Sequence, residues 1–242
     1  MTETPVRSSA GPRRLDAAAL SIWLCALAVL SGLGLLVVTA WHGHGVEHQH
    51  GMPDEVPSHL HHVAMIAGMV LVMMSPFAVP LCSAVARAAL WRRAVGAMFA
   101  AWAAFMGLWV IAAGGMHVAG EFLAMVVTPS GAIAVLVILT AGAQLRWRRL
   151  TLLNACQRTR PIRAGHELRG GAAWGAVAAA RCVRVCAAPM TLMAVEPTLV
   201  SFVAITALVW WERFSTRRLG LRVPLALGYL LVGAGMLIGV QS

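Results

Sequence analysis

Long apolar stretches alternate with short polar stretches along most of the chain. A helix needs about 20 consecutive apolar residues to cross a bilayer, and seven stretches reach or approach that length. The pattern therefore predicts an all-α fold, a polytopic transmembrane bundle of about seven helices. Pro129-Ser130-Gly131 interrupts the fourth stretch, and the sixth stretch is short. The predicted spans cover residues 17–40, 62–85, 94–114, 122–143, 171–195, 198–211 and 223–240.

The arginines indicate which ends of these helices face the cytoplasm. All 19 basic residues of the chain are arginine. Apart from Arg181 and Arg184, which lie within the fifth span, all of them precede the first span or lie in the connections between the second and third, the fourth and fifth, and the sixth and seventh spans. Because cytoplasmic loops are enriched in basic residues, the N-terminus is predicted to be cytoplasmic and the C-terminus to be outside. The predicted regions are a cytoplasmic tail at 1–16, a first helix at 17–40, a His-rich external loop at 41–61, and a six-helix membrane domain at 62–242 with an Arg-rich cytoplasmic loop at 144–170.

Composition supports a membrane protein and argues against the common soluble classes. Hydrophobic residues make up 60% of the chain and charged residues 12%, whereas globular chains average about 45–50% and about 25%. The net charge of +10 comes from arginines clustered between apolar runs, which favours contact with lipid phosphates over nucleic-acid binding. The lysine-free, arginine-rich usage favours a bacterial cytoplasmic (inner) membrane. The sequence contains no nucleotide-binding, nucleophile-elbow or HExxH motif, so we expect no enzyme activity.

Histidines are concentrated in the predicted external loop. Imidazole binds copper, zinc and nickel, and a His-rich tract is a compositional signal for metal binding. The spacing matches no rigid tetrahedral site, so we expect a collector of low specificity that takes copper, zinc or nickel. The alternative is a polar loop whose histidines bind nothing. The histidines in question are His42, His44, His48, His50, His59, His61 and His62.

Two stripes of sulfur-containing side chains follow helical spacing. Thioethers are soft ligands that select Cu(I), and residues four apart lie on one face of a helix. The helical rise per residue, counted from the outer end of each helix, places the two stripes at overlapping depths in the membrane. This overlap predicts a shared Cu(I) site. The alternative is that methionine serves as ordinary apolar filler. The first stripe is His61, Met65, Met69 and Met73, and the second is Cys182, Cys186, Met190 and Met193.

Several other residues have a weaker case for function. Arg181 and Glu212 fall at nearly equal depth on two antiparallel helices, which predicts an ion pair, with Arg184 as the substitute. We favour the interpretation that these arginine and glutamate side chains neutralise each other's charge and have no catalytic role. His117 and Glu121, at the outer ends of the third and fourth helices, are candidates to complete an external site, although a lone interfacial histidine is commoner. We interpret the following as lipid-facing or core residues: Trp23, Cys25, Met98, Met106 and Met125.

Four short motifs resemble a known family. They are Met73-Met74-Ser75-Pro76, Cys156 in a basic loop ending near Pro161, Cys182 and Cys186 followed by Met190, and Glu212 ahead of arginines. Over roughly residues 60–240 the chain resembles the predicted metal-binding integral membrane proteins, known as domain of unknown function 2182. The resemblance implies a multi-helix bacterial membrane protein that binds metal, with no reaction assigned.

The chain departs from that family's pattern at three places. Arg160 stands where the family carries a second cysteine in the basic loop. Val185-Cys186-Ala187 stands where the family has an adjacent cysteine pair followed by Trp, and Phe77 replaces a small hydroxyl residue. Two thiols are therefore lost and Cys156, Cys182 and Cys186 remain, so the resemblance implies a mixed Cys/Met site here.

These observations lead to one main hypothesis and two alternatives. The main hypothesis is a non-catalytic Cu(I)-handling protein, for trafficking, chaperoning or transport, whose His-rich loop supplies the sulfur stripes. The first alternative is a structural or assembly subunit of a membrane complex that binds no metal. The second is a membrane redox protein that acts through the Cys182–Cys186 pair, which we rank last because no acid/base set accompanies it. The expected partners are the lipid bilayer and a metal ion, with a membrane-protein partner or a second copy of the chain left open.

Overall fold

The described residues of the computed structural model are 17–43, 55–89, 93–145, 166–195, 199–215 and 222–241. Within these ranges the chain forms seven helices and no strand, which confirms the all-α prediction. The helices are α1 (Ala17–Gly43), α2 (Glu55–Ala88), α3 (Ala94–Val127), α4 (Pro129–Leu145), α5 (Glu167–Val195), α6 (Leu199–Ser215) and α7 (Arg222–Gln241).

The predicted boundary between the third and fourth helices is wrong. The third helix continues past the predicted end at Gly114 and runs to Val127, so the first part of the predicted fourth span belongs to α3. The break falls at Thr128, whose φ of 90° lies in a region that residues other than glycine rarely adopt. Thr128 Oγ1 accepts a hydrogen bond of 3.3 Å from the backbone N–H of Gly131. Thr128 thus caps α4, and Pro129 occupies the first helical position, where its missing N–H costs nothing.

The helices also extend into the predicted loops. The end of α1 at Gly43 and the start of α2 at Glu55 take in both ends of the predicted loop 41–61. Pro57 is compatible with this start because proline is tolerated in the first turn of a helix. The predicted Arg-rich loop 144–170 is shortened in the same way, since α4 ends at Leu145 and α5 begins at Glu167.

Four of the helices are long and apolar enough to cross a membrane. The candidate spans are Ala19–Val38, Val63–Ala88, Ala94–Val127 and Glu167–Met193, and the apolar parts of α4, α6 and α7 are shorter. Large apolar side chains such as Trp23, Leu30 and Ile111 are exposed on the helix surfaces. Exposed apolar surface on this scale needs a lipid environment, so by length and composition this is a multi-pass membrane protein.

Helices α3 and α5 form a tightly packed parallel pair. Arg93 pairs with Glu167, and the backbones approach closely where Gly171 faces Ala97 and Gly175 faces Ala101. The numbers of the paired residues rise together in steps of four, so the two helices run in the same direction with a fixed register. A Cβ atom at either glycine would overlap the alanine carbonyl oxygen. Small residues four apart are a common means of close helix packing in membranes.

Helix α2 packs antiparallel to α1 and is also bonded to α6. On the α1–α2 pair, Gly32 lies against Gly68 and Val72, while Gly68 lies against Leu36. Helix α6 is tied to α2 by a hydrogen bond of 3.2 Å, which Trp210 Nε1 donates to the carbonyl oxygen of Met73. Helix α2 thus contacts α1, α3, α5 and α6.

The ion pair at the start of α5 should stabilise the α3–α5 register. The Glu167 side chain is 1% exposed, and its Oε2 lies 3.2 Å from Nη1 of Arg93, which is 60% exposed. Replacing Arg93 by alanine removes this partner from a buried carboxylate, so we expect the free energy of unfolding to fall by about 1–3 kcal/mol. Thermal unfolding in detergent measures this change. Arg87→Ala, at an exposed arginine at the end of α2, is the control; equal melting of the two variants would contradict the assignment.

Candidate functional site

A cavity lies among α2, α3 and α5. Its volume is about 40 Å³, which exceeds the roughly 10–15 Å³ that one water molecule needs. Four of its lining side chains are thioethers, one is an imidazole and the rest are aliphatic. We call it the thioether cavity, and its lining residues are Met65, Ile66, Met69, Val70, Ala113, His117, Met190 and Met193.

Helical spacing explains why these donors converge. Met65 and Met69 are one turn apart on α2, and Met190 and Met193 are three residues apart on α5, so each pair shares one helix face. The parallel register of α3 and α5, set by Gly171 and its partner near the other end, carries His117 to the level of Met190 and Met193. The two sulfur pairs and the imidazole therefore line one space, although they come from three separate helices.

His117 is held by a neighbouring carboxylate. Its Nε2 lies 3.3 Å from Oε1 of Glu121, one turn further along α3. The His117 side chain is 20% exposed and that of Glu121 is 57% exposed, so the carboxylate is the outer partner of the two. A carboxylate that accepts a hydrogen bond from one ring nitrogen orients an imidazole and raises the basicity of the other nitrogen. This arrangement is common beside metal-binding histidines.

The structure separates the two predicted sulfur stripes into two groups. Met65, Met69, Met190 and Met193 line the thioether cavity. Met73 and Cys186 are buried in the same hydrophobic cluster without lining the cavity, and Cys182 is half-buried at the edge of that cluster. Met73 also contributes its backbone carbonyl to the bond from Trp210. Met73, Cys182 and Cys186 are thus not among the lining residues of this cavity, and the predicted shared Met/Cys site stays a prediction.

The predicted His-rich loop lies outside what the structure describes. Residues 44–54 are not described, and neither are the side chains at the end of α1 and the start of α2. The collector role of these histidines stays a prediction. The residues affected are His42, His44, His48, His50, His59, His61 and His62.

Within the described part of the chain, no three His, Cys, Asp or Glu side chains come together in a group that could hold a metal ion. The donors that do converge there are thioethers, together with one imidazole. Divalent zinc and nickel favour imidazole, thiolate and carboxylate, whereas thioethers favour Cu(I). The chemistry of the cavity therefore matches a soft monovalent ion better than a divalent one.

The predicted ion pair within the membrane stays a prediction. Glu212 is buried on α6, Arg181 is half-buried on α5 and Arg184 is exposed. Helices α5 and α6 are in contact, and Arg181 and Glu212 both take part in interactions. Burial of Glu212 in an apolar segment requires a partner for its charge, which is compatible with the predicted pairing.

His117, a weaker candidate by sequence, lines the cavity together with the four thioethers. The signal that locates it is the spacing of Gly171 and Gly175, which fixes the register of α3 against α5. Apolar patterning does not reveal that register, because α3 is apolar on nearly every face.

No family model, no curated protein and no solved structure matches the chain. The resemblance to the predicted metal-binding membrane proteins therefore stays a prediction.

Proposed function

We propose that this membrane protein binds Cu(I) in the thioether cavity. The proposed ligands are drawn from Met65, Met69, Met190 and Met193, with His117 as the nitrogen donor. The observation that carries the proposal is the convergence of four thioethers from two helices on one cavity beside an imidazole. Soft sulfur donors select Cu(I) over divalent ions.

The absence of negative charge on the proposed ligands favours a protein that passes copper on over one that holds it tightly. Four thioethers and a neutral imidazole leave the charge of Cu(I) uncompensated, whereas thiolates would neutralise it. Moving a cation from water into an apolar site costs free energy, and neutral ligands offset only part of that cost. We therefore expect copper to be held loosely enough to pass on to a thiol-containing acceptor, as in trafficking, chaperoning or transport. The His-rich loop would collect metal for this site.

Metal analysis of the purified protein tests the proposal. The protein is extracted in detergent under reducing conditions, and bound copper, zinc and nickel are measured by mass spectrometry. We expect copper near one equivalent or above, and we expect it to persist in a variant with His44, His48 and His50 replaced by alanine. Copper that disappears in that variant would place the metal in the loop. No metal above background would favour the alternative of a structural subunit.

The carboxylate next to His117 offers a milder test. Glu121 is exposed, so Glu121→Gln should leave the fold unchanged. Loss of such an outer partner typically weakens metal affinity by about 10–100-fold, and we expect a weakening of at least about tenfold. Competition with a colorimetric Cu(I) chelator measures the affinity. The control is Asp16→Asn, at a residue that precedes α1 in the sequence; equal affinities for Glu121→Gln and the wild type would remove His117 from the site.

A further inference from the structure

We propose that Cys25 and Cys82, with Met98 beside them, form a second soft-metal site at the opposite end of α2 from the thioether cavity. This inference rests on the proposed function, because it adds a second binding site for the same ion, nearer the predicted cytoplasmic side. It also uses α1, which lies outside the part of the chain that carries the family resemblance. Sequence reasoning treated Cys25 and Met98 as lipid-facing or core residues.

The register of α1 against α2 brings the two thiols close together. Gly32 lies against Val72, and the helices run antiparallel. Cys25 precedes Gly32 by seven residues, which carries it to the level of Val79, about 10 Å further along α2. Cys82 is three residues beyond Val79, an axial step of about 4.5 Å. The thiols therefore lie about one helical turn apart across the same interface.

Burial and local contacts agree with this placement. Cys25 is 4% exposed and Cys82 is 0% exposed, and both belong to the hydrophobic cluster that contains Met98. The two thiols are close enough to interact electrostatically. The Cys82 thiol also donates to the backbone carbonyl of Met98 across 4.0 Å, which places α3 at the same point. Cys25 and Cys82 thus lie in the same part of the core, next to the backbone of α3 at Met98.

The chemistry of this group differs from that of the thioether cavity. One Cu(I) ion displaces the proton of each thiol and forms two copper–sulfur bonds, and the two protons leave to solvent with no change of oxidation state. A buried thiolate without a cation is costly, so the empty site stays protonated and metal binding releases the protons. Methionine sulfur carries no proton, so loading of the thioether cavity releases none.

The two sites are well separated along α2. Met69 and Cys82 are thirteen residues apart, a distance of about 20 Å along the helix axis. An ion at one site is therefore not shared with the other. The thioether cavity lies at the predicted outer ends of the helices, and the thiol pair lies toward the predicted cytoplasmic ends. Transfer from neutral ligands to thiolates would bind the ion more tightly at the inner site.

A chain that retains only these two thiols tests the inference. The protein has five cysteines, so replacing Cys156, Cys182 and Cys186 by serine leaves Cys25 and Cys82. This three-serine chain is titrated anaerobically with Ag(I), a redox-inert soft ion, while proton release is followed with an indicator dye. Sulfur-to-metal charge-transfer absorption in the ultraviolet is recorded at the same time. We expect about two protons per chain and a saturating absorption band. Release of one proton or none would overturn the inference.

Two further variants separate this inference from the proposed function. Replacing Cys25 and Cys82 by serine in the three-serine chain should abolish the proton release and leave binding in the thioether cavity intact. Replacing the four cavity methionines by leucine in the three-serine chain should leave the release of about two protons unchanged. Ag(I) binding that survives the leucine substitutions without loss would contradict the thioether site alone. Proton release that survives removal of both Cys25 and Cys82 from the three-serine chain, which then has no cysteine, would contradict the thiol site alone.

Discussion

Replacing Met65, Met69, Met190 and Met193 together by leucine is expected to remove Cu(I) from the thioether cavity while the protein stays folded. Leucine is close to methionine in volume, and such exchanges usually cost less than about 1.5 kcal/mol each. Leucine has no sulfur, so the cavity keeps its shape and loses its soft donors. We expect Cu(I) affinity at this site to fall by at least about a hundredfold, as His117 alone remains. Chelator competition and bound-copper analysis measure the loss.

A second set of four methionines provides the matched control. Met74, Met106 and Met236 are buried away from the cavity, and Met125 is exposed on α3. Changing these four to leucine has a comparable packing cost and removes the same number of sulfur atoms. We expect copper binding to match that of the wild type. Equal loss of copper in both variants would mean that binding depends on general packing, and the cavity would lose its assigned role.

Gly175→Leu is expected to cause the largest loss of stability of any single change on the α3–α5 pair. Any Cβ atom at this position meets the backbone of Ala101, which cannot move aside as a side chain would. Overpacking usually costs about 1–3 kcal/mol, and we expect the upper end of that range or beyond because the two helices must separate. Size-exclusion chromatography after extraction and the thermal midpoint in detergent measure the effect. Copper binding should fall as well, since the same register positions His117.

Gly107→Leu is the control for that variant. Gly107 is an exposed position on α3, and a Cβ atom there would meet no atom within 4 Å. We expect normal yield, normal stability and normal copper binding. A Gly175→Leu protein as stable as Gly107→Leu would contradict the close parallel packing of α3 and α5. It would also remove the explanation for the position of His117.

Much of the fold could be predicted from apolar run length. Seven apolar runs predict seven helices because a bilayer imposes a minimum length on each span. The boundary between α3 and α4 could not be placed this way, since polar residues such as His117 and Glu121 indicate a connection at 115–121, where the helix in fact continues to Val127. Local chemistry decides it: Thr128 caps the next helix and Pro129 starts it. Cap and proline signals therefore outweigh hydropathy at this point.

The candidate site could be predicted only in part. Helical spacing identified Met65 and Met69 on one helix and Met190 on another, because that spacing depends on one helix at a time. Which of these residues share a cavity depends on how the helices rotate and slide against one another. That register is set by backbone contacts at small residues, such as Gly175 against Ala101. The sequence left open whether Cys25 faces lipid or the core, because α1 is apolar on nearly every face and its pattern does not show which face is buried.

The most direct test of Cu(I) binding by thioethers is X-ray absorption at the copper edge on a cysteine-free chain. All five cysteines are replaced by serine, so sulfur neighbours of copper can come only from methionine. The protein is loaded with one equivalent of Cu(I) in detergent. The proposal predicts a first coordination shell dominated by sulfur, with one imidazole nitrogen from His117. A shell of nitrogen and oxygen alone, or a chain that retains no copper, would contradict it.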